Sequence, residues 1–433
     1  MRYFSRICLL SLLLVFSIHG IHGKKVQDTI TRTTPLKTVW KAPFPKKKIL
    51  HVFSTWDRLY AQLENYDIFC LDKRNGIVKW ICRLKTETKA TPAENSRGLY
   101  FYSENEIIHV DKRTGKILWK KYFSFPVSAP PTVTEFSIYV PQWGEKMHSF
   151  DVLSRERKWF YNFEGECAAI PLAMERALYI PADSGHLYCL ADTGKLNWIF
   201  TNKDEYEELG YLSKSIDLLL SRLEKENSKG ENRNYKIIMD LRKQIRETGK
   251  EMDEVKKMTK GKYISSPVTY GPYLYICSTD YNTYKLDASS GKPIWQYETG
   301  SPIYTAPIAY KDILLTFPEN QGTVAIDTQS GKLKWQLKNA KTILAADRKH
   351  FYIIIEDGNR DRYLCSFNRE NAQTTWKYKL ESGDYTFIPD YTSNSLYMVF
   401  PNDGLIWALN TENKIPQLVD PFFIPKFNRK PRK

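Results

Sequence analysis

An acidic or amide residue eight positions before a tryptophan recurs about every 40 residues, each time behind a short apolar, strand-like run. One interval of the series is widened by about 57 residues of helical periodicity. These observations predict an all-β chain, an eight-bladed β-propeller of four-stranded blades with its N-terminal strand closing the last blade, plus an inserted α-helical hairpin. Composition agrees. Aromatic residues make up 14% of the 433, with 28 Tyr and 11 Trp, while 21 Gly and 22 Pro are near ordinary levels, as in a globular, strand-rich protein.

The chain opens on a targeting segment. Residues 1–23, MRYFSRICLLSLLLVFSIHGIHG, place Arg2 and Arg6 beside an apolar run from Ile7 to Ile18. That run is too short to cross a hydrocarbon core of ~30 Å as a helix and fits an export signal, so the mature protein is expected to be exported, which in a bacterial envelope would place it in the periplasm. Gly20 and Gly23 are small enough to end the signal, although Ile18 and Ile21 at their −3 positions depart from the A-x-A pattern. No later stretch is apolar for long enough to span a bilayer, so no transmembrane segment is expected in the mature chain.

A basic N-terminal segment, 24–34, follows the signal, and a basic tail, 421–433, ends the chain. The formal charge is +15, two less without Arg2 and Arg6, which favours anionic partners. Much of the charge lies in PFPKKK and PKFNRKPRK, read as solvated segments able to meet an anionic envelope surface. Export argues against nucleic acid as a partner. Beyond the signal, Cys70, Cys82, Cys167, Cys189, Cys277 and Cys365 sit inside apolar runs, where buried thiols are expected, and spacing alone does not settle their connectivity.

The propeller is expected over 35–201 and 263–420. Its repeats read CLDKRNGIVKW at 70, HVDKRTGKILW at 109, SFDVLSRERKW at 149, KLDASSGKPIW at 285, AIDTQSGKLKW at 325 and SFNRENAQTTW at 366. They pair Asp72 with Trp80, Asp111 with Trp119, Asp151 with Trp159, Asp287 with Trp295, Asp327 with Trp335, and Asn368 with Trp376. CLADTGKLNW is one residue shorter and ends at Trp198. An eighth copy begins at Asn410 but has Leu418 where tryptophan is due. PLKTVWKAPF near the mature N-terminus looks like the missing half, with Trp40 supplying the indole. Closure of this kind removes the unpaired strand edges that an open array would leave.

Ahead of each turn stands an apolar strand, such as LYFYS, SIYVP, ALYIP or LYMVF, and before several of these comes a small-residue and proline segment. With the two strands flanking the turn, each unit has four strands. The aspartates are expected to cap tight hairpins through side-chain to backbone bonds. The tryptophans offer a large flat area to bury between neighbouring sheets, with an N–H that needs a partner. Both residue types are structural in this reading.

These repeats, DKRTGKILW, DASSGKPIW and DTQSGKLKW above all, resemble the tryptophan-docking repeats of pyrroloquinoline-quinone-type (PQQ-like) β-propellers. That family includes quinoprotein alcohol dehydrogenases and the propeller lipoprotein of the outer-membrane β-barrel assembly machinery. The resemblance spans roughly residues 35 to 420 outside the insertion. Likeness to the dehydrogenases would imply PQQ, a Ca²⁺ held by carboxylate and amide oxygens, a base Asp and an adjacent-Cys disulfide. This chain has no Cys-Cys pair, and its loops ENYD, YSENE, PADSG and PENQG resemble turn chemistry more than a dense ligand loop. No cofactor is therefore expected, and a PQQ-dependent dehydrogenase with a degenerate site is the alternative.

Other chemistries are no better supported. His51, His109, His148, His186 and His350 show no HxxxH or HExxH spacing, and GxSxG is missing. No catalytic, cofactor-binding or metal-ligating residue is assigned, and the balance leans against an enzyme.

Residues 202–262 form the insertion. Leu209, Leu212, Ile216, Leu219 and Leu223 recur at alternating three and four, as do Ile238, Leu241, Ile245, Met252 and Val255 with Thr248 interrupting. NSKGEN supplies the break between two helices. Charges are mixed, 15 Lys or Arg against 13 Asp or Glu, which argues against simple polyanion binding. Leu218 and Leu220 broaden the first helix's apolar face and are read as partner-binding positions. The whole is expected to be a non-catalytic, exported scaffold that binds proteins through the ring face or the hairpin, with a role in cell-envelope or outer-membrane protein assembly. The assembly lipoprotein carries a lipidated Cys right after its signal, whereas no Cys follows Gly20 or Gly23 here.

Overall fold

Short strands, almost wholly buried in the middle of each sheet as at Ser395–Phe400 and alternating in exposure at the outer edge as at Pro293–Glu298, build sheets throughout the computed structural model, which describes residues 36–410 except 89, 175, 202, 260, 348, 381, 382, 391, 392 and 394. The expected export signal, the basic segments 24–34 and 421–433, and Leu418 lie outside the described residues. Eight four-stranded sheets form an eight-bladed β-propeller. Blades 1 to 7 span 49–83, 93–122, 132–162, 172–201, 268–298, 308–337 and 340–379, each with its strands hydrogen-bonded in sequence order. Blade 8 differs.

Its own three strands, Thr386–Ile388, Ser395–Phe400 and Leu405–Asn410, are completed by the N-terminal strand β1, Lys37–Pro43. β1 runs antiparallel to Leu405–Asn410, with Trp40 opposite Ala408 and Ala42 opposite Ile406. The N-terminal strand therefore does close the last blade. Trp40 and Ala42 reach a buried cluster with Leu59, Leu71, Tyr397 and Ala408, which ties blade 8 to blade 1.

The chain divides into two compact units. The first runs up to Phe136, adds Gly322–Ala325 and resumes at Leu333; the second holds Ser137–Gln321 and Ile326–Lys332. In the first unit the apolar faces of neighbouring blades meet in clusters such as Tyr60, Trp80, Leu99 and Phe101, or Leu344, Tyr352, Met398 and Trp407. In the second, Tyr139, Met147, Ile180 and Tyr188 fill one interval and Tyr179, Phe200, Leu274 and Tyr284 another. Sheet-to-sheet burial of large side chains is the stabilising term, since each fully buried Leu, Ile or Phe contributes roughly 1.5–3 kcal/mol.

A buried ion pair adds to the first unit. Lys73 Nζ lies 3.0 Å from Asp390 Oδ2, with both side chains shielded from solvent. Burial pulls the lysine's pKa down, and the Asp390 carboxylate opposes that shift. Ser393 Oγ also donates to Asp390, at 2.5 Å.

Two helices interrupt the second unit, α1 (Lys203–Asn227) and α2 (Tyr235–Thr259), joined through a short 3₁₀ turn at Gly230–Asn232. They pack against each other. Asn234 Oδ1 caps α2 by accepting the N–H groups of Lys236 and Ile237 at 3.0 and 3.3 Å. Among the described residues no helix is long and apolar enough to cross a membrane.

Trp40 is nearly buried and joins two blades, so Trp40→Ala should cost about 3–5 kcal/mol, read as a lowered midpoint in urea unfolding. His148 is buried in blade 3, and burial, reinforced by Arg157 and Lys146, pushes its pKa down to about 4. A histidine with a depressed native pKa contributes stability above its unfolded pKa of about 6.5, and that contribution is lost as pH falls toward 4. His148→Leu should therefore lose less in melting temperature than the native chain between pH 7 and pH 4.5, measured by circular dichroism.

Candidate functional site

The repeated turns are the most regular sites in the molecule. At Asp72, Asp111, Asp151, Asp287 and Asp327 the backbone N–H donates to the carbonyl five residues on, and the Asp carbonyl accepts the N–H four residues on, at 2.8–3.0 Å. Asn368 repeats both bonds. The residue four positions after the acid adopts positive φ: Gly76, Gly115, Gly291 and Gly331, but Arg155 and Ala372 in two blades. Carboxylate oxygens finish the turn. Asp111 Oδ1 accepts from the Thr114 N–H and hydroxyl, and Asp287 Oδ1 accepts from the Ser289 and Ser290 hydroxyls. Asp327 Oδ1 accepts from Ser330 in the same way.

These bonds hold the carboxyls below the usual carboxylate range: chiefly Thr114 at Asp111, the Ser154 N–H at Asp151 and Ser289 at Asp287. Asp72 differs, because the Arg74 guanidinium donates to both of its oxygens at 3.1 and 2.9 Å and pulls its pKa down further.

Each glycine of such a turn leaves room for an indole from the preceding blade. A Cβ on Gly76 would meet Trp40 at 2.4 Å; on Gly115, Trp80 at 2.5 Å; on Gly291, Trp198 at 2.5 Å; on Gly331, Trp295 at 2.8 Å. The indole N–H then donates to a carbonyl of the same turn. Trp40 reaches Lys73 O at 2.8 Å, Trp80 Lys112 O at 2.8 Å and Trp159 Asp192 O at 2.8 Å. Trp295 reaches Thr328 O at 3.1 Å and Trp335 reaches Arg369 O at 2.8 Å. Trp198 differs: its N–H has no partner, and the matching carbonyl, Ala288 O, accepts the Tyr179 hydroxyl at 3.1 Å. Trp119 packs on Tyr100 and His109, and the residues after Asn410, where the counterpart of Trp376 would begin, lie outside the described residues.

Sequence reasoning missed the other half of the sandwich. A tyrosine from the apolar strand of the same blade lies under most of the indoles: Tyr60 and Trp80, Tyr139 and Trp159, Tyr179 and Trp198 and Tyr275 and Trp295 are 5.8–6.0 Å apart, whereas Trp335, whose blade has Ile313–Thr316 (ILLT) there, meets Phe351 of the next blade at 6.0 Å. Tyr397 does the same for Trp40 and Tyr352 for Trp376, at 5.9 and 6.1 Å. The signal was present in LYFYS, SIYVP, ALYIP and LYMVF, whose Tyr recurs at one position. A register shift also follows the residue opposite Trp in six blades, after Cys70, His109, Ser149, Cys189, Lys285 and Ser366. This bulge turns the strand end into the aspartate hairpin.

None of this machinery presents a reactive group. The six described cysteines are buried and form no disulfide, and burial pushes the thiols of Cys70, Cys167 and Cys277 up to about 12, far from the thiolate a nucleophile needs. Among the described residues no three His, Cys, Asp or Glu side chains are grouped to hold a metal ion.

The hairpin is a second candidate surface. Its facing stripe is Leu212, Ile216, Leu219 and Leu223 on α1 with buried Ile238 and Leu241 on α2. Leu218 and Leu220 lie outside that stripe and are 56% and 44% exposed. At its root Lys262 Nζ pairs with Asp183 at 3.2 Å, and the Tyr263 N–H donates to Ala182 O at 3.2 Å.

Substitution can weigh the indole contact against backbone strain. Gly115 and Gly144 both have positive φ, but nothing lies near a Cβ at Gly144. Gly144→Ala should cost about 1–2 kcal/mol from strain alone. Gly115→Ala should cost about 1–3 kcal/mol more, in urea unfolding, because Trp80 must move.

Comparison with known proteins follows from this geometry. The family model described as outer membrane protein assembly factor BamB (PQQ_2) matches residues 64–201 and 243–387. Among solved structures, BamB from Moraxella catarrhalis is similar at a TM-score of 0.59 and 14% identity, over 88% of this chain and 98% of that one. The computationally designed Ika8 protein is similar at 0.58 and 8% identity, over 86% and 99%. Quinohemoprotein alcohol dehydrogenase from Comamonas testosteroni is similar at 0.53 and 10% identity, over 88% and 78%. At such identities the solved structures show the fold alone. No curated protein sequence matches the chain. With most of both propeller segments covered by the family model, the chain belongs to the PQQ_2 family, the family of outer membrane protein assembly factor BamB.

Proposed function

We propose that this chain is an exported, non-catalytic scaffold that holds protein partners in the cell envelope during outer-membrane protein assembly. The observation that carries this reading is the family match over 64–201 and 243–387. The chemistry of the described residues supports it: thiols kept protonated by burial, carboxylates spent on turn capping, and indoles spent on blade docking. Leu218 and Leu220 are the hairpin's contact positions for a protein partner, as their exposure outside the helix-helix stripe suggests. In this reading the protein works without PQQ or Ca²⁺.

Crosslinking in the native envelope tests the scaffold role. The full chain should capture a discrete set of proteins, and a chain lacking 204–260, or carrying Leu218→Asp with Leu220→Asp, should lose at least one of them. Identical capture by all three would remove the hairpin from the docking surface. Adding PQQ and Ca²⁺ to purified protein should give neither stoichiometric quinone absorbance nor dye reduction with alcohols or sugars. Tight binding with turnover would instead establish a dehydrogenase.

A further inference from the structure

The hairpin tip carries apolar side chains that helix packing does not use. Tyr235, Ile237 and Met239 open α2 and are 63%, 44% and 67% exposed, while Ile238 and Leu241 on the same helix turn inward. Segment 225–236 around the tip holds Lys225, Lys229, Arg233 and Lys236 against Glu226 and Glu231 only. The mixed charge of the whole hairpin thus hides a local excess of cations.

One of the two acids is already engaged. Glu226 is buried; its Oε2 accepts the Lys229 ammonium at 2.5 Å, its Oε1 accepts the Asn234 N–H at 2.9 Å, and Lys229 above all lowers its pKa. Arg233 lies 4.8 Å over the Tyr235 ring and donates to its hydroxyl at 2.9 and 2.5 Å. Aromatic ring and cation therefore project as one unit.

A convex turn bearing an aromatic, a thioether and several cations fits a deformable anionic surface better than a folded acidic protein, which would need a matching concavity. Amphipathic tyrosine suits the headgroup level, and basic side chains are drawn to anionic leaflets. We propose that the tip around Tyr235, Ile237 and Met239 docks on the surface of an anionic lipid bilayer. Tyr235 and Met239 enter the headgroup layer, and Lys229, Arg233 and Lys236 lie at phosphate level. The hairpin then presents the propeller to the membrane while Leu218 and Leu220, farther along α1, stay available to protein.

Vesicle sedimentation with the full mature chain tests this. Binding to vesicles of phosphatidylglycerol and phosphatidylcholine should exceed binding to phosphatidylcholine alone, and Tyr235→Ser with Met239→Ser should weaken it by about tenfold. The basic termini are the same in both proteins, so the difference reads the tip. Because the six cysteines past the signal are buried, Met239→Cys can be labelled with nitrobenzoxadiazole, whose emission should shift to the blue on the anionic vesicles. Three results would overturn the proposal: equal binding by the serine variant, sedimentation with no spectral shift, or an equal shift with soluble polyglutamate.

Discussion

The fold depends on one contact made repeatedly: an indole leaving one blade lies over a glycine in the next blade's aspartate turn and donates its N–H to a carbonyl there. At Trp40, Trp80 and Trp295 both halves are present. The arrangement draws on three features. A residue at positive φ sits in the turn, a glycine in most units but Arg155 or Ala372 in two, an Asp or Asn caps most of the turns, and a flat ring follows eight residues on, or seven at Trp198. A tyrosine from the same blade backs the indole at Trp40, Trp80 and Trp295, so each of these tryptophans bridges its own sheet and the next. Sheets that would be marginal alone become a cooperative series.

Because the series begins and ends inside one blade, the first and last segments of the described chain are held together by the same device. Trp40 on β1 enters the turn at Asp72 through its N–H bond to Lys73 O, and the side chain of that same lysine reaches Asp390 in blade 8. One residue thus receives the closing strand through its backbone and ties blade 8 to blade 1 through its ammonium. A buried pair of this type adds little net stability over an apolar substitute, but removing one partner strands a charge and costs roughly 3–5 kcal/mol.

The blade count, the turns and the closing strand were legible because Asp, Gly and Trp recur at fixed intervals, and a period survives drift at other positions. Trp40 could be assigned to the last blade because PLKTVW supplies what the unit beginning at Asn410 lacks. The tyrosines beneath the indoles were not recognised, since Tyr in an apolar run reads equally well as ordinary strand propensity. Lys73 and Asp390, 317 residues apart, share no local pattern at all. Nor could the sequence show that the Trp198 N–H is left without a partner while Ala288 O accepts the Tyr179 hydroxyl. The hairpin was legible from its three-four stripe, and the exposure of Leu218 and Leu220 agrees with their place outside it.

Hydrogen exchange read by mass spectrometry on Trp80→Phe tests the docking contact most directly, because phenylalanine keeps an aromatic ring but cannot donate to Lys112 O. The account predicts faster exchange in turn 111–116 of the next blade as well as in strand Val78–Arg83, with 273–298 unchanged. Unaltered protection at 111–116 would show that neighbouring blades do not depend on the indole, and would contradict the account.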